Sequence, residues 1–213
     1  MVEEAVEWAD PLAPTKHEQQ GGAKPTTAGA MSVLSAIGAI ASAMLIRSEY
    51  IHATQPDASL ACDLNPLLGC SSSLTSVQAH LFGVPNALLG LLAFCGLVGI
   101  GIALMARVRL PRWLWWALAA GCGAALVWVA WFLNQSVTIF RSLCPYCLTV
   151  WAVTIPLTCL VWTHLLRTSR PGETLSGPRR LLVQSRWFLV VLVYVAIVAI
   201  IVVGLADKVA RVL

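Results

Sequence analysis

The sequence predicts an all-α integral membrane protein with five transmembrane helices, and three observations carry that prediction. Hydrophobic residues fill 58% of the 213 positions and charged residues only 11%, whereas a soluble domain is about half apolar and about a quarter charged. Five stretches are long and apolar enough to cross a bilayer, which takes about 20 residues at a rise of about 1.5 Å each. None of the five contains Lys, Arg, Asp or Glu. The basic residues between them fall unequally on the two sides.

The first span runs from Ala28 to Ile46. Residues 1–27 before it are polar, contain Pro and Gly and lack apolar periodicity, so a disordered tail is expected. No basic segment leads into a short apolar core, so the first span is not expected to be a cleaved signal peptide. The second span covers Leu81–Ala106, with Pro85 in its first turn, where a missing N–H is tolerated. The third is Trp113–Leu133, with Trp113, Trp115 and Trp116 at one end and Trp128 and Trp131 near the other, each reading equally as an interfacial belt residue or as helix packing. The fourth is Tyr146–Leu166. Pro156 in its middle is expected to kink it, a neighbouring helix re-satisfying the freed carbonyl. A linker, 167–186, includes the flexible stretch Thr168–Pro178. Residues 187–213 hold the fifth span, Trp187–Ala206, and a short tail. No internal repeat, phosphate loop or nucleic-acid motif is present.

Arg107, Arg109 and Arg112 follow the second span, and Arg167, Arg170, Arg179, Arg180 and Arg186 follow the fourth. With Lys16 and Lys24 in the tail, ten of the fourteen basic residues share one side. Arg47, Arg141, Lys208 and Arg211 share the other. Basic loops stay in the cytoplasm, which places the N-terminus there and the C-terminus outside.

The external side carries the chemistry. A segment of residues 47–80 joins the first two spans and contains Cys62 and Cys70, with Asn65-Pro66 and Gly69 between them. The loop before the fourth span ends in Cys144-Pro145-Tyr146-Cys147. Two spans separate the pairs, so both face the same side, where disulfides are chemically allowed. Cys95, Cys122 and Cys159 fall inside spans and read as small hydrophobes packed between helices.

Pro145 suits a first helical position. The positive end of that helix stabilises a thiolate at Cys144, the species that attacks disulfides. Cys147 lies about a turn deeper, within reach of a lipid-soluble acceptor. Zinc would want four ligands, and covalent haem would want a following His, so a redox pair is the expected reading. Cys62 and Cys70 taken alone read equally as a loop staple. Beside a C-x-x-C on the same face they read as an electron shuttle.

Cys62-Asp63 with Cys70-Ser71, then the run Phe82-Gly83-Val84-Pro85-Asn86-Ala87-Leu88-Leu89-Gly90, then Cys144-Pro145-Tyr146-Cys147 resemble the vitamin K epoxide reductase family over about residues 30–166. The resemblance implies a four-helix bundle around a quinone within residues 28–166, capped by the external segment, with the fifth span added at the C-terminal end. It implies that Cys144 and Cys147 are the active-site pair and that Cys147 reacts with the quinone. Cys70 would then exchange with Cys144, and Cys62 with a protein partner. Asn86 matches a quinone-binding polar residue. Trp151 stands where animal relatives carry a tyrosine, so it is a candidate for ring contact, and Asp63 is a further candidate for the cofactor site. The chain ends shortly after the fifth span, so the expected partner is a separate external thioredoxin-fold protein.

The expected function is therefore thiol oxidation at the plasma or inner membrane, with electrons passing to a menaquinone- or ubiquinone-type quinone. Two rivals use the same residues differently. One is a quinone or epoxide reductase that makes a hydroquinone cofactor. The other is a soft-metal carrier, which would want polar groups along a path through the bilayer.

Overall fold

The structure, a computed structural model, describes residues 12–55, 60–65, 67–74, 76–80, 83–169 and 177–212. Helices α1 (Lys16–Gln19) and α2 (Pro25–Thr54) are followed by α3 (Ser71–Leu74) and a 3-10 turn (Val77–His80). Then come α4 (Asn86–Met105), α5 (Arg112–Gln135) with a π-helical extension (Ser136–Phe140), α6 (Pro145–Thr168), α7 (Gly177–Gln184), α8 (Arg186–Gly204) and α9 (Ala206–Val212). Five of these elements are long and apolar enough to cross a membrane: α2, α4, α5 with its extension, α6 and α8. The protein is a multi-pass membrane protein. Among the described residues there is no sheet, only an isolated parallel bridge between Leu68 and Leu143.

Helix α2 packs on α4 and α6, and α6 also packs on α5 and α8. In lipid there is little hydrophobic gain from pairing helices, so close approach at small residues matters more. A Cβ on Gly38 would sit 2.6 Å from the Phe94 ring, and one on Gly101 would collide with Ser32. Both glycines bring α2 and α4 together. The buried cluster below them joins Met31, Phe94, Trp115, Leu157 and Val161. Helix α8 keeps most of its apolar side chains turned outward, as lipid contact requires.

Pro156 lies inside α6, which continues through it to Thr168. The carbonyl of Ala152, four residues earlier, has lost its helical donor and instead accepts the Tyr194 hydroxyl of α8 at 2.5 Å. The fifth span thus repairs the gap that Pro156 makes in the fourth.

Several expectations need correction. Helix α2 runs on to Thr54, because Arg47 and Glu49 end a hydropathy window without ending a helix. Pro85 is the residue before α4 and does not lie in its first turn. Trp115 is not a belt residue. It is 2% exposed, stacks on His164 at 3.8 Å, and donates its indole N–H to Gly21. Trp128 and Trp131 are half-buried, Trp128 on a cavity wall and Trp131 against the Phe132 cluster. Trp113 and Trp116 are exposed.

The N-terminal segment is not structureless from Leu12 onward. Thr15 caps α1 in a reciprocal capping box with Glu18. Glu18 is 1% exposed and pairs with Arg167 of α6 at 2.9 Å. Arg167 also donates to the carbonyls of Leu12 and Ala13. The order comes from one ion pair and a cap, neither of which produces apolar periodicity. The first eleven residues of the expected tail lie outside the described residues. So do residues 170–176 of the expected linker; the part from Gly177 to Gln184 is the helix α7.

Candidate active site

The four cysteines converge at one end of the molecule. Cys62 and Cys70 form a disulfide with a Cα separation of 5.8 Å, inside the usual range. The Cys70 sulfur lies 2.9 Å from that of Cys144. Cys62, Cys70 and Cys144 are 2%, 0% and 5% exposed and share a small core with Leu45, Leu60 and Leu74.

Backbone contacts set this register. The Gly69 amide donates to the Leu143 carbonyl at 3.0 Å, and the Leu143 amide to Leu67 at 2.8 Å. The strand-like bridge therefore places residue 70 beside residue 144. Asp63 Oδ1 accepts from the Cys70 amide at 2.6 Å and the Ser71 amide at 3.3 Å. A side chain at Gly69 would press on that carboxylate, with a Cβ only 2.9 Å from Oδ1. Asn65 Oδ1 accepts from the amides of Leu67 and Leu68, an Asx turn. Pro66, expected to share that turn, lies outside the described residues.

Cys144 is the residue before α6, and Pro145 opens the helix. The bond from Cys147, followed by amide bonds from Cys147 and Tyr146, holds the Cys144 thiol below its ordinary value against the opposing effect of burial. The thiolate is thereby favoured where the neighbouring disulfide can be attacked.

Cys147 faces the other way as well. It packs against the sulfur cluster and against the cluster of Phe132 and Trp151. It also lines a cavity of about 600 Å³ bounded by α2, α4, α5 and α6. The walls are almost wholly apolar, with Leu97, Leu118, Phe132 and Trp151 among them. That size and chemistry suit a lipid-like ring compound.

Asn86, the first residue of α4, also lines the cavity. Its side-chain amide donates to the Gln78 carbonyl at 2.6 Å, and its buried Oδ1 has no partner among the described residues. Trp151 is 5% exposed and lines the same space. Asp63 does not. Its carboxylate is spent on the amides of Cys70 and Ser71, and it borders a shallow outer groove with Ser72, Ser142 and Lys208. The structure thus places Asp63 outside the cavity, where it holds the loop.

Residues 30–162 match the model of the Vitamin K epoxide reductase family. The chain belongs to the vitamin K epoxide reductase family. Its members are membrane oxidoreductases that use quinones of the vitamin K type, and the matched segment contains all four converging cysteines and the cavity. No solved structure matches the chain.

The other cysteines stand apart from this cluster. Cys122 is buried and lines the cavity on α5, and Cys159 is half-buried with its thiol 3.6 Å from the Arg186 carbonyl. Cys95 is exposed on α4, so it is not packed between helices as expected. Among the described residues no group of three or more His, Cys, Asp or Glu is placed to hold a metal ion.

Sequence reasoning missed Glu49. It falls within the expected external segment 47–80, yet it lies on α2 and lines the cavity. The signal was its spacing: Ser42, Leu45 and Glu49 fall on one helical face, and all three line that wall.

Proposed function

We propose that this member of the vitamin K epoxide reductase family oxidises the dithiol of a separate external thioredoxin-fold protein and passes the electrons to a quinone, so generating disulfides for exported proteins. The observation that carries the proposal is the position of Cys147, which touches the sulfur cluster on one side and the apolar cavity on the other. In this reading α2, α4, α5 and α6 form a four-helix bundle around the quinone, and α8 is an added span. The cysteine end faces outward and the N-terminus is cytoplasmic, as the excess of basic residues at the opposite end favours.

The transfers follow the order of the sulfurs. A partner thiolate attacks Cys62, releasing Cys70 as a thiolate, and the partner leaves as a disulfide once Cys62 is also reduced. Cys70 then attacks a Cys144–Cys147 disulfide at Cys144, and closure of Cys62–Cys70 leaves Cys144 and Cys147 reduced. A bound quinone accepts two electrons and two protons and leaves as hydroquinone, while Cys144 and Cys147 rejoin. Asn86 suits both forms of that substrate. One amide hydrogen is held by Gln78, the other remains for a quinone oxygen, and Oδ1, without a partner among the described residues, can accept a hydroquinone hydroxyl. Such bonds strengthen in an apolar site. The Trp151 ring supplies a flat wall.

A single-turnover assay tests the proposal. Pre-reduced protein is mixed with a short-chain naphthoquinone or benzoquinone, and quinone absorbance is followed. Wild type should consume two quinones per protein, one for each reduced cysteine pair, and Cys147→Ala none. Quinone consumption by Cys147→Ala at the wild-type rate would refute the assignment.

A further inference from the structure

We propose that Glu49 and His80 form a proton path linking the cysteine-side solvent to the cavity, with Glu49 handing protons to the bound electron acceptor. The proposal rests on the quinone reading above and adds to it the groups that supply protons.

Among the described residues that line the cavity, Glu49 is the only one with a charged side chain. Its Oε1 accepts from His80 Nε2 at 2.7 Å, and the other ring nitrogen, Nδ1, lies 3.4 Å from the Ser76 carbonyl oxygen. Both nitrogens face acceptors, so only the doubly protonated ring makes both bonds. Burial opposes the charge, but the bond to Glu49, the largest influence, raises the His80 pKa above its ordinary value. The His80 side chain is 36% exposed and that of Glu49 23%. A solvent-reachable imidazolium is thus bonded to a carboxylate on the wall of an apolar chamber. The same 3-10 turn that carries His80 supplies the Gln78 carbonyl that holds Asn86, so the pair and the expected acceptor site share one support.

The chemistry needs such a path. Oxidation of Cys144 and Cys147 forms one S–S bond and releases two electrons and two protons, and reduction of the acceptor consumes two electrons and two protons. The thiol protons leave at the sulfurs, whereas the acceptor takes protons at its oxygens inside an apolar cavity. Glu49 receives a proton from the His80 imidazolium, gives it to the acceptor oxygen, and is recharged from solvent through His80. Both residues end the cycle unchanged, and the inventory balances.

The experiment uses the full-length protein in lipid nanodiscs with dithiothreitol as donor and a short-chain naphthoquinone as acceptor. Glu49→Gln keeps a partner for His80 but cannot carry a proton. It should lower the rate of hydroquinone formation about a hundredfold, leave the KM for the quinone unchanged, and recover in part on addition of acetate but not chloride. His80→Gln should lose less and recover with imidazole. Reaction-induced infrared difference spectra should show a transient carboxylic-acid carbonyl band in wild type that is absent from Glu49→Gln. Formation of the Cys62–Cys70 disulfide reports that each variant is folded. A wild-type rate in Glu49→Gln, or persistence of the infrared band, would overturn the proposal. So would a loss accompanied by a raised KM and no acetate rescue, which would make Glu49 a shaping residue. If wild type itself reduces no quinone, the acceptor reading fails and the path falls with it.

Discussion

The sulfur of Cys144 lies 2.9 Å from that of Cys70, across 74 residues of sequence. Two unbonded sulfurs do not ordinarily approach so closely, and one of this pair already belongs to the Cys62–Cys70 disulfide. The Leu68–Leu143 bridge and the Asp63 carboxylate create this proximity, and each acts on the residue next to a cysteine or on its amide. The loop is built to hold three sulfurs in a row.

That arrangement predicts a trapped species. With Cys62 and Cys147 both replaced by alanine, Cys70 and Cys144 have only each other within reach. Under air oxidation the double variant should form a Cys70–Cys144 disulfide, detectable as one linked pair of peptides by mass spectrometry. Free thiols at both positions, or linkage to Cys95, Cys122 or Cys159, would show that the close approach is not productive.

The thiol of Cys144 is held low first by its bond from Cys147. A lowered pKa means more thiolate at any given pH, so the alkylation rate of reduced Cys144 should reach half its maximum below the pH of an ordinary cysteine. Cys147→Ser keeps a donor and should leave that midpoint low, whereas Cys147→Ala removes the donor and should move it upward. Matched midpoints in the two variants would assign the shift to something other than residue 147.

At the opposite end, Glu18 and Arg167 make a buried ion pair. Burial alone would raise the Glu18 pKa, but the Thr15 amide and hydroxyl bonds and the charge of Arg167 together bring it below the ordinary carboxylate value. A depressed carboxylate pKa stabilises the fold above the ordinary value, and that contribution is lost as pH falls through the folded value. The segment around Thr15 should therefore become protease-sensitive under acid conditions while remaining protected at neutral pH. Glu18→Gln should expose it at neutral pH, since an uncompensated buried Arg167 costs about 3–5 kcal/mol. Unchanged protection in Glu18→Gln would show that the cap alone holds the segment.

The membrane helices were legible because their cause is composition: a bilayer selects long apolar runs, and those runs are written continuously in the sequence. The position of Cys144-Pro145-Tyr146-Cys147 at the start of α6 is legible because a proline suited to a first helical position precedes a long apolar run. Glu49 was hidden because a charged residue ends an apolar window whether or not the helix continues. Trp115 stays ambiguous in the sequence because an aromatic residue near a span end is the same letter whether it meets lipid or stacks on His164. The docking of Glu18 on Arg167 joins residues 149 apart, and no local pattern records such a pairing. The role of Asp63 is not legible in the sequence, because its carboxylate serves the backbone of Cys70, seven residues away.

The central claim is that electrons pass from the Cys62–Cys70 pair to Cys144–Cys147 and on to a quinone. The most direct measurement is quinone absorbance against time for purified Cys62→Ala and Cys147→Ala, each supplied with dithiothreitol or with a reduced thioredoxin-fold protein. A small dithiol reaches sulfurs that a folded protein cannot. Cys62→Ala should lose the protein-driven reaction and keep substantial dithiothreitol-driven reduction, and Cys147→Ala should lose both. Equal loss of both reactions in a folded Cys62→Ala, or full quinone reduction by Cys147→Ala, would contradict the account.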